Sequence, residues 1–295
     1  MSTTLWLGLA AALASAFIGS GWQLVSRHGV TTTLGPLELA LLRYAVPAVL
    51  LLPVWWRVGL VPRGVGAGQV ALMVATGGLP FGLVVLTGAQ LAPAAHMGVF
   101  IAGALPLFTA LAGRLAFGEQ VTPARWVGLA VVGFGVLSLG HASFASAAPA
   151  WRGDLLFLLA AALWSVYTVA FRRSGLTPWQ GTAVVNGWSA VLLLPLAVIV
   201  GAPKLATAPL GDVVLQATWQ GGIAGLLGLA TYLAAVLWLG SARAALSAAL
   251  VPVLTAAGGA WLLGEPLDTA TRMAVLLIAA GIVLASGAVR LPIRQ

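Results

Sequence analysis

The chain holds few side chains able to do chemistry, and most of them fall within long apolar runs. Trp164, Tyr167 and Thr168 are spaced three and four residues apart, so a helix would set them on one face. An aromatic face with a polar edge can hold an apolar side chain and still hydrogen-bond the ends of the molecule that carries it. Packing between helices is its other use. His96 and Phe100, one turn apart with Gly103 below, make a second such face; a histidine bonded to a neighbouring carbonyl is the alternative there. Phe81, Tyr44, Asn186 and Tyr232 are further mid-run groups with the same two uses. Arg43 is the one formal charge clearly inside an apolar run. It can receive a carboxylate, bond carbonyls and close one end, or snorkel to the surface. Glu38, five residues away, is off its helical face. Pro106 and Pro252 fall inside apolar runs, where each removes a backbone hydrogen bond and acts as a kink or hinge.

Several chemistries are excluded by the same residues. No histidine follows His141, so Gly187-Trp188-Ser189 has no base downstream. Two mid-run aspartates, an HExxH pattern and cysteine are all absent. An enzyme is therefore not expected, nor a metal site or cofactor. Asp154, Asp212, Glu265 and Asp268 are assigned to connections on the outer side. With no carboxylate then left near a midplane, transport without proton coupling is the expectation. His96 is the residue that could overturn it.

These side chains need lipid-embedded helices to position them. Of the 295 residues 61% are hydrophobic and only 7% charged, and mean hydropathy is +1.05. Soluble domains carry roughly 25% charge. Apolar runs fall at 5–25, 37–57, 68–90, 95–116, 123–141, 153–171, 179–202, 217–240, 243–263 and 270–290. Each is near the ~20 residues of a bilayer span. Thr122-Pro123, Thr177-Pro178 and Asp268 read as helix starts; Gly118 and Gly264 read as stops. The first run reads as a retained span rather than a signal peptide. Most of the 12 tryptophans sit near run ends, as in interfacial belts; Trp164 and Trp188 lie nearer the midplane, and Trp22 near an end.

The net charge of +8 is scattered, which argues against nucleic acid. With the N-terminus inside, Arg57, Arg63, Arg114, Arg125, Arg172, Arg173, Arg243, Arg290 and Arg294 are cytoplasmic. Arg27, Arg152, Lys204 and Arg272 then lie outside, and the excess places both termini in the cytoplasm. The expected partners are the bilayer and a small organic solute, with a monomer sufficient.

The halves repeat. An offset of 146 pairs Pro106 with Pro252, Thr109 with Thr255, Gly113 with Gly259 and Gly118-Glu119 with Gly264-Glu265. Residues 1–145 and 146–295 read as two five-helix copies. An odd number of spans per copy inserts the second copy upside down. That inverted duplication suits alternating access better than a channel, whose charge rings or carbonyl filter are not evident.

The residues that carry the repeat also carry a family likeness. They are Pro36-Leu37-Glu38-Leu39-Ala40-Leu41-Leu42-Arg43, Leu105-Pro106-Leu107-Phe108-Thr109, Gly118-Glu119-Gln120-Val121-Thr122 and Gly128, Gly133 and Gly135. In the second half they are Leu163-Trp164-Ser165, Val251-Pro252-Val253-Leu254-Thr255, Leu263-Gly264-Glu265-Pro266-Leu267 and Gly281. Each half resembles the EamA unit of the drug/metabolite transporter superfamily, and the general look is similar to its bacterial aromatic amino-acid exporters. The resemblance implies an all-α integral membrane protein of ten transmembrane helices around a central cavity, with spans five and ten packed outside it. It implies export of aromatic or apolar amino acids across the bacterial inner membrane, or alternatively of quaternary ammonium or viologen-like cations. The family often has a tryptophan in span one where this chain has Ala14, while Trp164 is kept in the second half.

Overall fold

The computed structural model describes residues 3–146, 150–239 and 241–286, with side chains omitted at 3, 229–230, 233, 236–237 and 241–246. Arg290, Arg294 and the Arg243 side chain, all used for the orientation count, lie outside that description. All described elements are helical. The first copy contains α1 (Thr3–Thr31), α2 (Pro36–Leu50), α3 (Leu52–Val58), α4 (Ala67–Gly77), α5 (Leu79–Leu91) and α6 (Ala94–Met97). A π-helical stretch, Gly98–Gly103, joins α6 to α7 (Leu105–Phe117), and α8 (Pro123–Ala145) follows. The second copy runs through α9 (Trp151–Ser174), α10 (Pro178–Val200), α11 (Pro203–Thr207) and α12 (Leu210–Gln216). A second π-helical stretch, Ala217–Leu227, precedes α13 (Gly228–Leu239), α14 (Ser241–Leu262) and α15 (Thr269–Ala285).

By length and apolarity six described helices can each cross a bilayer, or seven when α2 and α3 are counted as one bent span. Thus the protein is a multi-pass, all-helical membrane protein, with six or seven of the ten expected spans met among the described residues. α2 and α3 meet at 70° beside Pro53, whose ring clashes with the preceding turn. The part of α14 described with side chains, Ser247–Leu262, and α15, Thr269–Ala285, are apolar as well.

The turn chemistry acts where the sequence places it. Thr122 Oγ1 accepts from the Arg125 amide, and Thr177 and Gln180 form a reciprocal capping box. Gly118 and Gly264, which end α7 and α14, both adopt φ +67°, a left-handed value that an L side chain resists. Their successors repeat as well, since the amides of Glu119 and Glu265 donate to the carbonyls of Gly113 and Gly259.

Asp268 accepts from the Thr271 amide at 2.7 Å and starts α15. Those bonds from Thr271 hold its carboxyl below the usual range, aided by His96 and Arg272. Asp268→Ala is expected to cost about 1 kcal/mol in a detergent thermal melt at neutral pH. A depressed folded pKa makes the contribution complete above about pH 4 and removes it as pH falls through the depressed value. The variant and the parent should therefore converge in strong acid.

α8 and α15 pack along glycines. A Cβ on Gly281 would lie 2.8 Å from the Val132 nitrogen and 2.9 Å from the Gly128 carbonyl oxygen; one on Gly128 would lie 2.3 Å from the Ala285 nitrogen. Backbone cannot yield as a side-chain tip can, so this is small-residue packing at its closest. Gly281→Val is expected to cost about 3 kcal/mol, read as a lowered unfolding midpoint in detergent.

Candidate functional site

The third apolar run is broken at its centre. Gly78 separates α4 from α5, and Pro80 supplies no amide to repair the ladder. Side chains from other spans satisfy the freed groups. The Tyr44 hydroxyl on α2 donates to the Gly78 carbonyl at 2.5 Å, and the Leu79 amide donates to Ser189 Oγ on α10 at 3.0 Å. Glycines admit these rings, because a Cβ on Gly82 would strike the Tyr44 hydroxyl and one on Gly77 the Tyr167 ring. Gly77 and Gly82 thus seat aromatic side chains. Irregular backbone at membrane depth is tolerated where protein covers it, and such breaks commonly mark binding regions.

An aromatic column stands against this break. Phe81 lies 4.9 Å from Trp164 by ring centroids, Trp164 lies 4.9 Å from Tyr167, and Tyr167 stacks on Phe171 at 6.1 Å. The chain therefore brings Phe81, Trp164, Tyr167 and Tyr44 together around one discontinuity. Thr168 does not supply the free polar edge expected, since its hydroxyl is spent on the Trp164 carbonyl at 2.8 Å.

Next to Tyr44 is Arg43. Its guanidinium carbon lies 4.7 Å from the Trp22 ring centroid and 5.7 Å from that of Tyr44. Nη1 reaches Gln220 Oε1 at 3.4 Å, and the buried Nε has no hydrogen-bond partner. Gln220 also accepts from Trp22 Nε1 at 2.8 Å and donates to Ser26 Oγ at 2.8 Å. Gln216 donates to the Val25 carbonyl at 2.7 Å. The ion pairs among the described residues are Arg27–Glu265, His96–Asp154 and Arg172–Glu119, so Arg43 has no carboxylate of its own. A guanidinium on an aromatic face, bonded to one neutral amide and keeping an unused donor, retains the capacity to bond an anionic group.

Trp22 and Gln220 were not singled out from the sequence. α1 runs to Thr31 rather than ending near 25, which moves Trp22 away from a helix end. Glutamines within apolar runs were the available signal.

His96 belongs to a different place. Its Nδ1 lies 2.8 Å from Asp154 Oδ1, with both residues buried, and its ring centroid is 6.1 Å from that of Phe100. Asp154, assigned to an outer connection from the sequence, is a buried residue of α9. The expectation of no carboxylate near a midplane concerns the span centres, whereas Asp154 lies in the first turn of α9. A cavity of about 300 Å³ lies alongside, lined by Phe100, Phe144, Trp151, Asp154, Leu155 and Leu158. Asp154 Oδ2 has no hydrogen-bond partner.

The remaining candidates stand apart. Asn186 spends its amide on the Thr182 carbonyl of its own helix, and Tyr232 is 40% exposed on α13. Trp188 reaches the Leu60 carbonyl at 2.7 Å, packing beside the turn after α3. Pro106 opens α7 directly after the π-helical stretch, which takes up the lost hydrogen bond; Pro252 lies within α14. The two are not conformational equivalents. Gly98 of the π stretch packs on Pro252, where a Cβ would lie 3.0 Å from its Cα.

Comparison with known proteins adds the following. A family described as EamA-like transporter family matches residues 6–140 and again 151–287. A Pseudomonas aeruginosa protein, Uncharacterized protein PA1977, is 34% identical over 193 residues, 62% of this chain and 63% of that one. The Bacillus subtilis protein Uncharacterized transporter YyaM is 26% identical over 207 residues, 66% of this chain and 65% of that one. The chain thus spans 63–65% of the length of these curated relatives. A solved crystal structure shares the fold with TM-score 0.55 at 22% identity, covering 96% of this chain and 97% of the other.

Proposed function

The chain belongs to the EamA-like transporter family, and from that premise we propose that it exports amino acids with aromatic or apolar side chains by alternating access. Arg43 is the observation that carries this reading. A cation among Trp22, Tyr44 and Gln220, without a carboxylate partner among the described residues, offers a seat for the α-carboxylate of a zwitterion. The neighbouring column of Phe81, Trp164 and Tyr167 offers apolar surface for the side chain. The span break between them is a joint at which the seat can open. The two copies would sit inverted in a bacterial inner membrane with both termini cytoplasmic, as the excess of arginine on one set of connections favours.

Purified protein in liposomes, offered labelled phenylalanine, leucine, threonine and a cationic dye, tests the reading. Counterflow of the amino acids is expected; dye uptake with no amino-acid counterflow would overturn it. Repeating the counterflow with no pH gradient reads coupling directly, which matters because of the His96–Asp154 pair. The second reading, an exporter of organic cations, is favoured by one observation: Asp154 on a cavity walled by Phe100, Phe144 and Trp151. Asp154→Asn would then abolish dye uptake.

A further inference from the structure

Two ion pairs in this protein are the same interaction made twice with the copies exchanged. Arg27 of the first copy meets Glu265 of the second at 2.7 Å; Arg172 of the second meets Glu119 of the first at 2.8 Å. The arginines are 145 positions apart and the glutamates 146, matching the repeat. Each arginine lies in the last turns of the first long helix of its copy. Each glutamate directly follows the left-handed glycine that ends α7 or α14. In both places a glycine one and a half turns back leaves room for the carboxylate: a Cβ on Gly113 would lie 2.6 Å from Glu119 Oε2, and one on Gly259 3.1 Å from Glu265 Oε2.

Both pairs are closed, but they differ in burial. Arg27 and Glu265 side chains are 18% and 12% exposed, and their pair is built into its surroundings. Arg27 also donates to the carbonyls of Ala89 and Gln90 at 2.6 and 3.1 Å, while Glu265 accepts the Ala94 amide at 2.7 Å. That pair therefore clamps the end of α5 and the start of α6 to α1 and to the connection after α14. Arg172 and Glu119 are 49% and 42% exposed, and among the described residues Arg172 is the one donor to the Glu119 carboxylate. Exposed pairs contribute little, whereas buried pairs with full hydrogen bonding are costly to break.

We propose that Arg27–Glu265 and Arg172–Glu119 are reciprocal latches at opposite ends of the transport path, and that this structure has the Arg27 end firmly latched and the Arg172 end held only by an exposed pair. The inference rests on the alternating-access reading and adds the residues that set its two end states. Because each latch joins one copy to the other, rocking that draws the copies together at one end separates them at the other. Breaking the latched pair shifts the population toward the opposite state; breaking the exposed pair deepens the present one.

The native chain has no cysteine, so spin labels can be placed singly on the full-length protein in nanodiscs. Thr32→Cys with Thr269→Cys reports the Arg27 end, and Gln120→Cys with Trp179→Cys the other. Wild-type distances that change in opposite directions at the two ends on adding phenylalanine read alternating access by itself. Glu265→Gln is expected to widen the first distance, narrow the second and shift the ratio of states about fivefold. Glu119→Gln should leave the first distance short, and Arg27→Lys, which keeps a cation facing Glu265 and the Ala89 and Gln90 carbonyls, should stay closer to the parent distribution than Glu265→Gln, separating a latch from a folding defect. The maximal counterflow rate should change with half-saturation little altered. Opposed wild-type movement that neither glutamine variant biases overturns the latches and leaves the reading intact; no opposed movement overturns both.

Discussion

Arg43→Ala is expected to reduce amino-acid counterflow about a hundredfold or more, while the protein remains folded. The magnitude follows from removing one side of a desolvated charge-to-carboxylate contact, worth about 2–5 kcal/mol in buried interfaces. Folding should survive, because Gln220 keeps Trp22 and Ser26 as partners at 2.8 Å each after the arginine is gone. Arg43→Lys keeps the charge but loses the planar group stacked on Trp22, so it should recover part of the rate with a raised half-saturation. Labelled phenylalanine uptake into liposomes over a concentration series checks both. An amine analogue lacking the carboxylate should be blind to either substitution. Equal transport of the acid by parent and Arg43→Ala would remove the carboxylate from this site.

How far the sequence reveals this arrangement depends on the range of each interaction. Caps and stops are local, and Thr122, Thr177, Asp268, Gly118 and Gly264 act where their neighbours in sequence say they should. The repeat is legible for the same reason, since it is a pattern of residue types rather than of contacts. What is hidden is pairing across the fold. Asp154 sits near an apparent helix start, a position normally solvated, and only the approach of His96 from 58 residues away turns it into a buried partner. Arg27 and Glu265, 238 positions apart, were both assigned to outer connections, yet nothing in either segment indicates that they meet.

The aromatic candidates divide along the same line. Trp164 and Tyr167 share a face by helix geometry alone, and the structure keeps them adjacent. Phe81 joins them because α5 packs on α9, a contact that residue spacing does not reveal. Asn186 and Tyr232 stand out by polarity within apolar runs, but helical back-bonding satisfies the first, and the second is 40% exposed. Residue type narrows the candidates; the break in the third apolar run selects among them.

That selection gives the second large effect. Trp164 lies between Phe81 and Tyr167, 4.9 Å from each ring, so Trp164→Ala removes the middle of the column rather than one edge. Each aromatic contact is worth about 1 kcal/mol beyond its buried area. Losing two such surfaces toward a bound aromatic side chain should cost phenylalanine about tenfold in counterflow relative to threonine, which gains nothing from a ring. Trp164→Phe keeps a ring in place and should retain most of the preference. His96→Asn provides the contrast, because its side chain faces Asp154 rather than the column. It should leave the phenylalanine-to-threonine ratio unchanged, whatever it does to the pH dependence of the rate. A ratio that moves with His96 and not with Trp164 would place the side-chain pocket beside the cavity at Phe100 and Trp151 instead.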